Sequence, residues 1–242
     1  MRLSYFALAL ALMVPASFSL GAVVTLGGVG VTVGVDGNPW QLSPTFTDNG
    51  DGTFSSIGST TGAAWDFSWN MTVKPDPFVD AVFGFKNTTA VTQTFTVGVL
   101  LPVAPPQTPF TRVGGSIGVT LTDSNFNGFA QLTDAGNGIY FGQNDGVNVL
   151  ELFADPFALT VNTAGGSNVA SDFQGLPTPN VPGPAATSTI SIVHRFRLSP
   201  GDSVAFTSFY VVEAVPEAST LLLTSLGVAG IVAVSRRRSI SR

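Results

Sequence analysis

Trp65-Asp66-Phe67-Ser68-Trp69-Asn70-Met71-Thr72-Val73-Lys74 alternates without a break between large apolar and polar side chains. A β-strand sends successive side chains to opposite faces, whereas a helix repeats about every 3.6 residues. The stretch therefore predicts a half-buried strand. Trp65, Phe67, Trp69, Met71 and Val73 face a core, and Asp66, Ser68, Asn70, Thr72 and Lys74 face water.

The same period recurs on both sides of it. Val91, Phe95, Val97, Val99 and Leu101 alternate with Thr92, Thr94, Thr96 and Gly98. Ile117, Val119 and Leu121 share a face, as do Ile190, Ile192, Phe196 and Leu198, and then Val204, Phe206, Tyr210 and Val212. Further strands are expected near 23–35, 79–87, 138–141, 147–153 and 157–161. Between them stand clusters that accept a positive φ or pre-set φ, such as Asp48-Asn49-Gly50-Asp51-Gly52, Lys74-Pro75-Asp76-Pro77 and Ser199-Pro200-Gly201-Asp202. Long amphipathic helices are missing, so the crossovers that parallel sheets need cannot be made. The expectation is an all-β domain, an antiparallel β-sandwich of about ten or more strands. Two proline-rich stretches, 102–109 and 174–186, read as a wide loop and a long surface loop.

Composition narrows the function classes. The chain has 242 residues, 10 basic and 15 acidic, with one histidine and no cysteine. No disulfide, thiolate metal site or cysteine nucleophile is available, and a single histidine excludes a two-histidine metal motif. Between residues 23 and 215 lie 5 basic and 14 acidic side chains, a net charge of −9. Such a domain repels nucleic acid, so no nucleic-acid partner is expected.

The two ends read as addresses. Arg2, the ten apolar residues 5–14, Pro15 and the small residues Ala16, Ser17, Ser19, Gly21 and Ala22 have the order of a secretory signal peptide, residues 1–22, cut between Ser19 and Ala22. At the other end, residues 221–234 are fourteen uncharged, mostly apolar residues, followed at once by Arg236, Arg237 and Arg238, with Arg242 last. A helix of that length spans about 21 Å, a short transmembrane helix that flanking arginines extend by snorkelling. By the positive-inside rule the arginines act as the stop-transfer signal, stay cytoplasmic and leave the preceding domain outside. The division expected is 1–22 signal helix, 23–214 β-sandwich and 215–242 tail. Because proline keeps the residue before it extended, Val215 is expected to be open to a protease and not locked in a sheet.

Just before the apolar run stand Pro216, Glu217 and Ala218. The order of a Pro-Glu motif, a short hydrophobic helix and a terminal arginine cluster resembles the PEP-CTERM sorting signal of Gram-negative bacteria, over residues 215–242. Pro216 and Glu217 match the Pro-Glu-Pro motif, and Ala218 departs from its third position. The resemblance implies export machinery and an exosortase-type protease as partners and a transient inner-membrane anchor. It also implies a final place at the cell surface or in the extracellular matrix, with exopolysaccharide as an associate.

Few residues between the ends carry chemistry. Asp48-Asn49-Gly50-Asp51-Gly52-Thr53 has oxygens that a hard cation such as Ca²⁺ would accept, yet position 59 is Ser where a calcium loop needs Glu, so a hairpin turn is expected. The runs 123–127 and Asn144-Asp145-Gly146 are weaker versions of the same pattern and likewise read as turns. His194 falls on an apolar face and is expected to be a structural histidine satisfied by a backbone carbonyl. Asp66, Asp80, Glu151 and Asp155 are the acids that glycoside hydrolysis would draw on, if they converged. Trp40, Trp65 and Trp69 are rings that can stack on sugars, but the last two fall on the core face. Asn70 and Asn87 head Asn-x-Thr sequons. No catalytic, cofactor or metal residue is assigned. The expectation is a non-enzymatic, exported surface or matrix protein. The alternative is a carbohydrate-binding or Ca²⁺-assisted adhesion module, and less favoured is a secreted β-sandwich hydrolase.

Overall fold

The computed structural model describes residues 23–24, 26 and 28–215. The signal helix expected at 1–22 and the sorting motif, membrane helix and arginine cluster expected at 216–242 lie outside the described residues. In chain order the first strands are β1 (Val23–Val24), β2 (Gly30–Val35), β3 (Asn38–Leu42), β4 (Phe46–Asp48), β5 (Phe54–Thr61) and β6 (Trp65–Lys74). Next come β7 (Phe78–Asn87), β8 (Gln93–Pro102), β9 (Gln107–Thr122), β10 (Ala130–Asp134), β11 (Tyr140–Asn144) and β12 (Val147–Leu152). The last are β13 (Ala158–Val161), β14 (Ser167–Gln174), β15 (Val181–Ala186), β16 (Thr189–Leu198) and β17 (Ser203–Val215). No helix occurs among the described residues.

The strands form two sheets. A nine-stranded sheet runs β1-β4-β5-β6-β7-β17-β9-β14, with β15 also on β9; an eight-stranded one runs β12-β11-β16-β8-β2-β3, with β10 on β16 and β13 on β10. Every pairing is antiparallel. One core fills the space between them, as the sandwich expectation requires. At its centre Phe85 touches Phe95 (ring centroids 4.5 Å), Phe67 (5.7 Å), Phe196 (5.7 Å) and Trp65 (6.1 Å), joining four strands from both sheets.

The register of β6 follows the alternation, with one correction. Trp65, Phe67, Met71 and Val73 are buried, but Trp69 is only partly so. It faces Gly58 across β5, where a Cβ would collide with the indole, and its Nε1 donates to Ser56 Oγ at 3.0 Å. The inner side of β5 is Ser56, Gly58 and Thr60, too small and polar to wall off the ring.

The proline-rich stretches also depart from expectation. β9 begins at Gln107 and carries Pro109 within it, so the loop before it is short. Residues 181–186 are not loop but β15, paired with β9 from Val113 to Gln107. Pro182 and Pro184 are tolerated because β15 is an edge strand, where a missing N–H costs no ladder bond. Val215 is the last residue of β17 and pairs with Phe110. The extended backbone that proline imposes on it is itself strand geometry, so it closes the sheet and is not a free segment.

Polar groups stitch the two sheets inside the core. Tyr140 Oη donates to the Phe209 carbonyl at 2.7 Å, and Tyr210 Oη donates to Asn144 Oδ1 at 2.8 Å. Asn144 Nδ2 donates to the Pro184 carbonyl at 3.0 Å and to Thr111 Oγ1 at 3.2 Å. His194 is fully buried, and its partner is a side chain, not the expected backbone carbonyl: Nε2 lies 2.8 Å from Ser208 Oγ. Its ring stacks on Phe206 (4.9 Å), and Nδ1 has no partner.

Asp145 and Gly146, both at positive φ, make the two-residue turn between β11 and β12, as the Asp-Gly pair suggests. The Asp145 carboxylate accepts from the N–H groups of Thr187, Ser188 and Thr189 and from two hydroxyls. Burial raises its pKa, but those bonds together hold it well below the usual carboxylate range.

Candidate functional site

The outer face of the nine-stranded sheet is built from the polar positions of its strands. Ladder pairing aligns Ser59 (β5), Ser68 (β6), Gly84 (β7), Ala205 (β17) and Thr120 (β9) in one row across five strands. At the usual inter-strand spacing such a row is about 19 Å long. On one side runs the row Thr61, Asp66, Lys86, Ser203 and Thr122; on the other runs Ile57, Asn70, Val82, Thr207 and Gly118.

The middle row is the floor of a trough. Gly84 and Ala205 keep it low, and a Cβ at Gly84 would sit 2.5 Å from Ser68 Oγ. Two adjoining cavities of about 460 and 640 Å³ open above it and share Ser59, Ser68, Gly84 and Ala205. The first is walled by Thr61, Asp66, Lys86, Thr122 and Ser203, and the second by Ile57, Asn70 and Val82. One wall thus offers hydroxyls, one carboxylate and one ammonium. The other is largely aliphatic, with Ile57 81% and Val82 42% exposed.

Asp66 and Lys86 face each other across β6 and β7 without forming an ion pair; among the described residues the one salt bridge is Lys74–Asp76 at 3.5 Å. Both groups therefore keep their hydrogen-bonding capacity for another molecule. The charges of the trough cancel, so it selects neither anions nor cations. Further along the same face Phe78 and Phe209 pack together (6.0 Å), and Phe173 stands 68% exposed beyond Ser116.

The four acids singled out from the sequence do not form one cluster; of them only Glu151 and Asp155 are near enough for one charge to act on the other. Asp66 and Asp80 share the outer face, but Asp80 lies opposite Thr72, six residues along β6 from Asp66 and so about 20 Å away. Burial pushes the Asp80 carboxyl up. Glu151 belongs to the other sheet, where it accepts the Gly138 N–H at 3.0 Å. Asp155 meets Asp134, whose hydrogen bond and charge raise it, with a smaller push from Glu151.

The remaining sequence candidates resolve as follows. Trp40 is 46% exposed on β3 and meets Trp65 edge-on at 6.1 Å, so the rings form no exposed row. Asp48 and Asp51 accept the N–H groups of Gly50 (2.8 Å) and Thr53 (2.9 Å), the turn that was expected. Asn87 is buried, with Nδ2 donating to the carbonyls of Val91, Leu198 and Ser199, whereas Asn70 is exposed beside the trough. Lys86, Gly84, Ala205, Ser203 and Thr122 were not singled out by sequence. Their one signal is that small or hydroxylated residues occupy the polar phase of alternating strands.

No family model matches the chain, and no curated protein matches it. Among solved structures it is similar to the carbohydrate-binding module TmCBM61, seen in complex with β-1,4-galactotriose. The identity is 12%, over 66% of this chain and 87% of that one, with a TM-score of 0.28. A likeness so distant carries no argument about what the trough holds.

Proposed function

We propose that the chain is an exported, non-enzymatic protein of the cell surface or extracellular matrix that binds a neutral carbohydrate along the outer trough of the nine-stranded sheet. The observation that carries the reading is the trough itself: a Gly84–Ala205 floor between a wall of Thr61, Asp66, Lys86, Thr122 and Ser203 and an aliphatic wall of Ile57 and Val82. A sugar ring has polar edges and apolar faces, and two such walls match both. Neutral hydroxyl donors and acceptors with one unpaired charge of each sign suit a ligand that is polar and uncharged. Of the four acids only Asp66 lines the trough, which supports binding there without hydrolysis, since glycosidases set two carboxylates roughly 5–9.5 Å apart across the scissile bond. The address is part of the same proposal and rests on the sequence alone. The signal peptide would export the chain, and the PEP-CTERM-like tail, with Pro216 and Glu217 outside and Arg236, Arg237 and Arg238 inside, would anchor it until an exosortase-type protease acts.

A glycan array followed by affinity electrophoresis in neutral polysaccharide gels tests the binding. Ala205→Arg would fill the floor and Asp66→Ala would strip the polar wall; both residues are exposed, so the melting temperature should hold. Each should weaken binding at least tenfold. Failure of the wild type to bind any neutral glycan, or binding that both variants leave intact, would overturn the reading.

A further inference from the structure

Two buried carboxylates meet at one end of the sandwich. Asp123 follows β9 directly, Asp202 closes the turn between β16 and β17, and both have no exposed surface. Each uses one oxygen: Asp123 Oδ2 accepts the N–H groups of Gly128 (2.8 Å) and Gly165 (3.2 Å), and Asp202 Oδ2 accepts the Ser199 hydroxyl. The other oxygen of each, Asp123 Oδ1 and Asp202 Oδ1, is buried and has no hydrogen-bond partner. The Ser124–Ser203 and Asn125–Pro200 contacts bring the two segments together. Burial first, then the charge of Asp123, push the Asp202 carboxyl up, while Asp123, against its own burial, is held down by backbone N–H groups. Among the described residues no lysine or arginine forms an ion pair with either. Two buried carboxylates cannot both stay charged there without a positive partner.

The chain around Asp123 has the form such a partner needs. Asp123-Ser124-Asn125-Phe126-Asn127-Gly128 matches the Asp-x-Asn-x-Asn-Gly start of a calcium loop, in which oxygen-bearing side chains alternate ahead of a glycine turn. Phe126 (φ 60°) and Gly128 (φ 88°) take the left-handed conformation that curls it. The loop is tied to the neighbouring turn by Asn125 Nδ2, which donates to the Pro200 carbonyl at 2.6 Å, and by the Ser124–Ser203 hydroxyl contact. The twelfth position is Asp134, but β10 carries it away to accept the Phe157 N–H at 2.8 Å. Asp202 supplies the second carboxylate from a different part of the chain.

We propose that Asp123 and Asp202 together hold a divalent cation, Ca²⁺, that ties the 123–128 loop to the β16–β17 turn. The two unpartnered carboxylate oxygens are hard ligands, and an all-oxygen donor set suits Ca²⁺, whose coordination is flexible, over Mg²⁺, which demands near-ideal octahedral geometry and keeps several waters. The proposal does not depend on the carbohydrate reading, although Asp123 follows Thr122 and Asp202 precedes Ser203, two residues of the trough wall; its readout is Ca²⁺ binding and not glycan binding.

The test is to strip the protein with EDTA, remove the chelator and titrate CaCl₂ by calorimetry while following the melting temperature. One Ca²⁺ per chain is expected, and Ca²⁺ at a hundredfold excess over its dissociation constant should raise the midpoint by about 5–10 °C. Asp202→Asn and Asp123→Asn should each weaken binding at least tenfold. A shared proton predicts the opposite pattern: no response of the wild type to EDTA or Ca²⁺, and an Asp202→Asn variant at least as stable as the parent. A wild type whose melting point ignores Ca²⁺ overturns the proposal whether or not the variants fold.

Discussion

His194, the one histidine of the chain, gives the protein a pH dependence whose sign can be worked out. Burial holds its pKa down at about 3, against about 6.5 for a histidine in the unfolded chain. Between those values the unfolded chain takes up a proton that the native state refuses. Stability is therefore complete above about pH 6.5 and falls as the pH drops toward 3. The slope is about 1.4 kcal/mol per pH unit, so about 2 kcal/mol is lost between pH 6.5 and 5. That is a large part of the ~5–15 kcal/mol that holds a domain together. Comparison with a variant isolates the effect, because the carboxylates, including the raised Asp80, Asp155 and Asp202, titrate alike in both proteins and cancel from the difference. His194→Gln removes the titrating ring and keeps an amide to bond the Ser208 hydroxyl. Urea denaturation at half-unit steps from pH 5 to 7.5 should show the wild type losing about 2 kcal/mol more than the variant toward the acid end. Parallel curves for the two proteins, or a folded-state imidazole that titrates above pH 6 by NMR, would refute the argument.

Two further outcomes follow from the packing and the tail. Trp65→Ala should cost ~3–5 kcal/mol and the half-buried Trp69→Ala only ~1–3 kcal/mol, with Ser68→Ala under ~0.5 kcal/mol; equal losses for the two tryptophans in denaturant titrations would contradict the burial difference. A chain ending at Val215 keeps all of β17 and should melt with the released native protein, whereas changing Arg236, Arg237 and Arg238 together to Ser should disturb membrane retention. Mass spectrometry of a released chain that still ends in Arg242 would count against the sorting tail.

The strands legible in the sequence are those with one apolar face. β8, β16 and β17, and β6 apart from Trp69, bury every second side chain along most of their length against the opposite sheet, and burial is what writes period two into a sequence. β5 reads Phe-Ser-Ser-Ile-Gly-Ser-Thr-Thr and β14 reads Ser-Asn-Val-Ala-Ser-Asp-Phe-Gln, and neither buries a continuous row. Their place in the sheet comes from backbone ladders to β6 and β9, which leave no mark on side-chain choice. β15 was hidden for the contrary reason: its prolines argue against a strand anywhere except at an edge, and only the fold reveals that it lies there.

The candidate site was less legible than the fold because it depends on register between distant strands. Asp66 was visible as an acid on a polar face, but Lys86, Ser203 and Thr122 stand beside it only because β7, β17 and β9 pair with their present offsets. A slip of one residue in β17 would exchange Ala205 for Val204 or Phe206 and close the trough with a core side chain. That slip is blocked from the inside: Val204, Phe206, Ser208 and Tyr210 are buried, with Ser208 against His194 and Tyr210 bonded to Asn144. The buried polar pairs therefore do for the outer face what apolar alternation alone could not. An apolar strand shifted by two residues would still bury its apolar side chains, but it would part Ser208 from His194 and Tyr210 from Asn144, leaving several buried groups unpaired at a cost of about 1–3 kcal/mol each. The core's hydrogen bonds select one register, and that register assembles the trough.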